Sequence, residues 1–335
     1  MKKTLCIAAA LAFLSTPASA QMIVFSSWGG TTQDAQESEW AKPFSDSSGI
    51  AVVQDGPTDY GKITAMVEAG SVAWDVVDVE FDWALKAGKQ GLLEPLDFTI
   101  IDKSALDPRF VSDYAVGSFY YSFVLGWNPA NFSGEQPSTF ADLFDLAKFP
   151  GSRTFYKWSA PGVIEAALLA DGVAPENLYP LDLDRAFAKL DTIKSEIIWW
   201  GSGAESQQLL AAGEAPIGLF WNGRLVALEA HGIEMGVSWD QNITAADALV
   251  VPKGTENKEA AMKFVAAATS AKGQADFAAA SGYAPINLGS AALMDPAVAA
   301  TLPDAQSAPQ VNADMTYWAE HRDEIGNRWY AWQAQ

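Results

Sequence analysis

Met22-Ile23-Val24-Phe25-Ser26 is an apolar run that reads as a buried strand, and Trp28-Gly29-Gly30 breaks the pattern before a polar helical segment over residues 32–47. Gly49 closes that helix, because glycine takes the left-handed conformation at a helix end without steric cost. A second strand follows at 50–53. The alternation then repeats, with a helix over 60–69 ended by Gly70, a strand over 74–79, and a helix over 81–87 before a turn at Gly91. Repeated β-α alternation predicts a mostly parallel sheet with helices on both faces, whose ligand crevice lies at the carboxyl ends of the strands. Trp28 and the stretch Glu80 to Asp82 fall at such ends.

Working towards the C-terminus, 118–127 is an aromatic strand too long for a tight turn, after which the α/β pattern restarts with a helix over 139–146 and a strand over 153–156. Residues 182–198 carry Leu183, Phe187, Leu190, Ile193 and Ile197 on one face, the stripe of an amphipathic helix covering a sheet. Ser202 is placed to cap a helix over 204–212, the next strand is 217–221, and Asn222-Gly223 is expected to turn the chain. A short strand at 248–251 precedes an alanine-rich helix over 258–280, opened by Asn257 and stopped by Gly282.

Towards the N-terminus, Met1-Lys2-Lys3 supplies a basic start, 4–14 is mostly apolar, and Pro17-Ala18-Ser19-Ala20 ends in the small residues a signal peptidase reads. Cleavage is expected after Ala20. An apolar run of about 11 residues falls short of the roughly 20 that span a bilayer, so an export signal is expected rather than an anchor. Cys6, the only cysteine, lies inside this signal, so the mature chain would carry no disulfide and no cysteine-metal site. It must stabilise itself by core burial, and about 315 residues suffice for two domains. Without Lys2 and Lys3, 19 basic residues face 41 acidic ones, a net charge near −22 that repels phosphate backbones and argues against a nucleic-acid partner.

Catalytic patterns are missing from the sequence. His231 and His321 are far apart and show no metal-ligand spacing, and there is no nucleophile elbow, phosphate loop or dinucleotide fingerprint. Neither an enzyme, a metal centre nor a cofactor is expected. Ferric capture would need neighbouring tyrosines, but Tyr120 and Tyr121 are successive strand residues and point to opposite faces. Thirteen tryptophans offer surfaces for stacking and cation–π contact with amines, sugars or alkyl chains.

Several stretches carry a resemblance. They are Trp74-Asp75-Val76-Val77, Gly91-Leu92-Leu93-Glu94-Pro95-Leu96-Asp97, Thr139-Phe140-Ala141-Asp142-Leu143-Phe144, Phe149-Pro150-Gly151-Ser152 and Leu210-Ala211-Ala212-Gly213-Glu214. Farther on come Phe220-Trp221-Asn222-Gly223-Arg224, Asp247-Ala248-Leu249-Val250-Val251-Pro252-Lys253 and Ser281-Gly282-Tyr283-Ala284-Pro285-Ile286-Asn287. In this order and spacing the chain resembles the periplasmic spermidine/putrescine-binding proteins of ABC transporters. The resemblance implies a type II periplasmic-binding-protein fold, α/β, with two lobes that close on a ligand by hinge motion. The lobes would be 21–125 with 248–286, and 126–247 with 287–335. It also implies a periplasmic monomer that delivers its ligand to an ABC permease in the inner membrane.

Carried over residue by residue, the resemblance makes Trp28, Trp221 and Tyr283 aromatic walls of the cleft, Asp247 an amine-binding carboxylate, and Glu80 and Asp82 polar loop contacts. The chain departs from the family where polyamine binders place two acidic residues, since it reads Tyr156-Lys157-Trp158-Ser159-Ala160-Pro161 there, and Ala245 stands in place of a second aromatic. Burying an ammonium without its counter-charge costs several kcal/mol. Trp158 offers an aromatic wall instead, and Arg224 or Lys157 could pair a carboxylate. A polyamine-type amine is the first expectation for the ligand. A zwitterion such as γ-aminobutyrate or a quaternary ammonium is the alternative, and a secreted enzyme ranks below both.

Overall fold

The computed structural model describes residues 21–335, so the expected export signal, its cleavage site and Cys6 lie outside the described residues. The first α/β run forms as the sequence predicts. β1 (Met22–Ser26) leads through α1 (Gly30–Gln36), a π turn over Glu37–Ala41 and α2 (Lys42–Ser48) to β2 (Ala51–Asp55). Then come α3 (Tyr60–Ala69), β3 (Val76–Glu80) and α4 (Phe81–Lys89). β1 pairs in parallel with β2 on one side and β3 on the other. Gly49 and Gly70 both sit in the left-handed region that ends their helices.

β4 (Ala115–Trp127) then leaves this half of the molecule, buried along its whole length. It leads to α5 (Phe140–Phe144), β5 (Arg153–Tyr156), α6 (Val163–Ala170), α7 (Leu183–Asp191), β6 (Ile197–Trp200), α8 (Gly203–Ala211), β7 (Ile217–Trp221) and α9 (Asn222–Ala230). β5 pairs in parallel with β6 and β7. The chain returns along β8 (Gly236–Val250), continues through α10 (Lys258–Ala268), α11 (Ala271–Ser281) and α12 (Pro296–Ala299), adds β9 (Gln310–Asn312) beside β8, and ends in α13 (Met315–Gln333).

Among the described residues the strands run in the order β2-β1-β3-β8-β4-β7-β5-β6, and β9 pairs with β8 off this path. The two antiparallel strands β4 and β8 therefore join two parallel sub-sheets. β3 pairs with the last residues of β8, and β7 with the last residues of β4. The β4–β8 register shifts between Gly117 and Phe119 and again between Phe123 and Leu125, irregularities that bend and twist a ladder. The result is two α/β halves joined by crossing strands, the two-lobed architecture expected from the sequence.

Four local expectations are corrected. The helix expected over 182–198 ends at Asp191, and Ile197-Ile198-Trp199-Trp200 is instead strand β6, because branched and aromatic side chains suit an edge of the sheet. The helix expected over 258–280 is two helices, broken where the Ser270 side chain accepts from the Gly273 N–H and caps a new start. The short strand at 248–251 is the end of the 15-residue β8, whose polar stretch Asp240-Gln241-Asn242 hides it. Asn222-Gly223 opens α9 rather than a turn. The Asn222 Oδ1 accepts from the Ser122 N–H at 2.9 Å, and its Nδ2 donates to the Gly282 carbonyl at 2.7 Å, so this side chain ties the start of α9 to both β4 and the end of α11.

Candidate ligand-binding site

The parallel strands β1, β3, β5 and β7 all end towards the junction of the halves, where Trp28, Glu80, Tyr156 and Trp221 stand. This is the crevice position that a doubly wound sheet offers a ligand. A cavity lies there, lined by these four residues with Thr32, Phe119, Tyr121, Arg224, Asp247 and Tyr283. It shares Trp28, Glu80, Tyr156, Trp221 and Arg224 with a wider groove.

One end of the cavity is acidic. Asp247 on β8 lies directly across from Glu80 on β3, so both side chains leave the same face of the sheet. Burial pushes the Asp247 carboxyl well above the usual carboxylate range, and the negative charges of Asp78 and Glu80 push the same way. The Trp28 indole lies close enough to favour the ionised form, but its N–H makes no hydrogen bond of normal geometry. Asp78 sits behind, accepting from Ser118 Oγ at 2.7 Å and Gln36 Nε2 at 2.5 Å, and burial raises its carboxyl to about 7 against these bonds.

The other end is basic. Arg224 projects from the first turn of α9, buried to 2% exposure, and its Nη1 donates to Thr31 Oγ1 at 2.8 Å. The starts of α1 and α8 close around it. A Cβ on Gly203, the first residue of α8, would lie 2.1 Å from Arg224 Nε, and one on Gly30, the first residue of α1, 3.4 Å from Nη1. Helix starts carry partial positive charge, so three of them beside a guanidinium make this end a place for an anion. The Arg224 Nε–H has no hydrogen-bond partner, nor do the indole N–H groups of Trp28 and Trp221. Each such buried group costs about 1–3 kcal/mol unless something accepts from it.

Aromatic rings form the walls between these ends. Trp221 meets Tyr156 at 5.0 Å and Trp200 at 4.7 Å, both edge-on, while Tyr283 stacks on Phe119 at 4.8 Å. Gly223 is required beside Tyr283, because a Cβ there would lie 2.6 Å from that ring and from the Ser281 carbonyl. Ala245 stands opposite Tyr121 across the β4–β8 ladder.

Of the residues singled out from the sequence, Trp28, Glu80, Trp221, Asp247 and Tyr283 line this cavity. Asp82 is fully buried in the first turn of α4 and is paired with Arg322 of α13, as is Glu80. Trp158 is 46% exposed and borders only the wider groove, with its Nε1 donating to the Gly201 carbonyl at 3.2 Å. Lys157 lies over the Trp158 ring at 4.5 Å and lines neither space, which leaves Arg224 as the cavity's cation. Sequence reasoning did not place Thr32, Phe119, Tyr121, Tyr156 or Arg322 in the site. The period-2 alternation of β4 puts Phe119 and Tyr121 on one face, but nothing local says that this face is the cleft.

Among the described residues no group of three or more His, Cys, Asp or Glu is arranged to hold a metal ion, and no helix is long and apolar enough to cross a membrane.

The family model for bacterial extracellular solute-binding proteins matches residues 39–311. The chain is 36% identical over 329 residues to the gamma-aminobutyric acid-binding protein of Pseudomonas aeruginosa, covering 95% of this chain and 92% of that protein. It is 24% identical over 281 residues to the spermidine/putrescine-binding periplasmic protein of Escherichia coli, covering 79% of each. A solved structure of a GABA receptor superposes with a TM-score of 0.88 at 69% identity, covering 94% of this chain and 98% of that one. With two α/β halves, a cleft at their strand ends and these relatives, the chain belongs to the bacterial extracellular solute-binding protein family and is a solute-binding receptor.

Proposed function

We propose that this receptor captures a short zwitterion of the γ-aminobutyrate type, with the ligand's ammonium on Asp247 and its carboxylate on Arg224. The observation that carries this assignment is the opposed charge of one small cavity, whose lining residues also carry unpartnered N–H donors. Arg224 gives a carboxylate a planar, two-pronged donor, and Trp28 and Trp221 give the methylene chain and ammonium an aromatic surface. The GABA-binding relatives at 36% and 69% identity support the same ligand class. A polyamine-type amine, the first expectation from the sequence, would find Asp247 but would bring its far ammonium against Arg224.

In this scheme β4 and β8 are the hinge, closure buries the ligand, and no bond is made or broken. The protein works as a periplasmic monomer and hands its ligand to an ABC permease in the inner membrane. Titration calorimetry with three four-carbon ligands tests the assignment. γ-Aminobutyrate is expected to bind at one site per chain, and butyrate and butylamine, each lacking one charged end, at least tenfold more weakly. Equal affinity for all three, or preference for butylamine, would rule out a paired ammonium and carboxylate site.

A further inference from the structure

The acidic end of the cavity holds more carboxylates than one ammonium needs, and the fold cancels part of that charge from inside. Glu80 and Asp247 face each other across β3 and β8, and Asp82 follows two residues after Glu80. Arg322 reaches Glu80 and Asp82 together, Nη2 donating to Glu80 Oε2 and Nη1 to Asp82 Oδ2. Its guanidinium lies over the Tyr60 ring at 5.3 Å, and the Tyr60 hydroxyl donates to Glu80 Oε2 at 2.9 Å. Arg322 also lines the wider groove, which meets the cavity at Glu80.

The helix that carries Arg322 is anchored on the opposite half. In α13, Trp329 Nε1 donates to the Lys157 carbonyl at 2.8 Å, Trp318 Nε1 to Glu165 Oε1 at 2.7 Å and Trp332 Nε1 to Asp191 Oδ1 at 2.8 Å. Arg322 is therefore a cation on a rigid mount, delivered across the cleft. A buried ion pair is weak evidence for a gain in stability, since apolar replacements often match it. What the triad does set is charge. With Arg322 in place, the carboxylates that line the cavity include one, Asp247, without an internal cation beside it. Without Arg322, Glu80 and Asp82 would add a second cation site reached through the groove.

We propose that Arg322 is a specificity-determining residue: by occupying Glu80 and Asp82 it takes away the acid pair that would otherwise hold the second ammonium of a diamine, restricting the site to ligands with one positive end. This rests on the zwitterion assignment above. A diamine entering past Glu80 has to displace a guanidinium held by two carboxylates, whereas an amino acid does not.

Calorimetry with γ-aminobutyrate and 1,4-diaminobutane tests the proposal on three proteins: the wild type, Arg322→Met, and Arg322→Met combined with Glu80→Gln and Asp82→Asn. Methionine keeps the apolar packing over Tyr60 and removes the charge. The ratio of diamine to γ-aminobutyrate dissociation constants is expected to fall at least tenfold in Arg322→Met and to recover in the triple variant. Should thermal melting show Arg322→Met unfolded, Arg322→Gln carries the same expectation, with Arg322→Lys keeping the wild-type ratio. Equal weakening of both ligands, or an unchanged ratio, would mean that Arg322 is a packing residue and overturn the proposal. Absence of γ-aminobutyrate binding to the wild type would instead overturn the zwitterion assignment beneath it.

Discussion

Asp247 and Trp221 are the side chains on which binding is expected to depend most at the residue scale. Asp247→Ala removes the cavity-lining carboxylate that lacks an internal cation, and Trp221→Ala removes the ring packed against Tyr156 and Trp200. Each is expected to weaken γ-aminobutyrate binding at least tenfold, about 1.4 kcal/mol, by titration calorimetry. The raised carboxyl of Asp247 adds a pH dependence. A ligand ammonium favours the ionised form, so at pH values near or below that group's folded pKa binding releases a proton, and affinity rises as pH rises through it. Titrations in buffers of different ionisation enthalpy should show this release in the wild type and lose it in Asp247→Asn. Trp28 was legible as an aromatic just after a readable strand, whereas Trp221, Asp247 and Tyr283 were singled out by the resemblance to the polyamine-binding family. Asp82 was misplaced because its partner, Arg322, lies 240 residues away on a helix that no local pattern ties to α4.

The starts of helices shape the site at the element scale. α8 begins with Gly203 because Arg224 occupies the volume a side chain would fill, and α9 begins immediately after β7 because Asn222 is fixed by Ser122 and Gly282. Gly203→Ala is expected to displace the guanidinium and weaken binding at least tenfold. The same change should leave the melting temperature within a few degrees, since alanine is otherwise favourable in a helix. Calorimetry and thermal melting on that variant check both halves of the expectation, and unaltered affinity would show that Arg224 has room to spare. Elements with clean periodicity were legible, as in α3, β5 and β7, whose expected bounds match or nearly match. β8 was not, since its polar centre reads as a loop: residues 239–242 have no partner on β4, and it is the pairing with β4 before and after them, and with β9 from Asn242, that carries the strand through. The break between α10 and α11 was hidden by alanines on both sides of Ser270, which supply propensity without marking an end.

The whole molecule is two parallel sub-sheets bridged by β4 and β8, with α13 anchored on one half and paired to the other through Arg322–Asp82, Lys86–Asp323 and Lys89–Glu320. The two exposed pairs contribute little energy. The sequence made the two-lobed class legible because β-α alternation appears twice around an aromatic strand. It left the charge layout open, because opposed ends of a cavity arise only when strands from both halves meet. The most direct measurement of the central claim is a crystal structure of the receptor with γ-aminobutyrate. The expected result is one ligand enclosed between the halves, its ammonium against Asp247 and its carboxylate against the Arg224 guanidinium. A ligand bound elsewhere, or lying in this cavity with its carboxylate away from Arg224, would contradict the account.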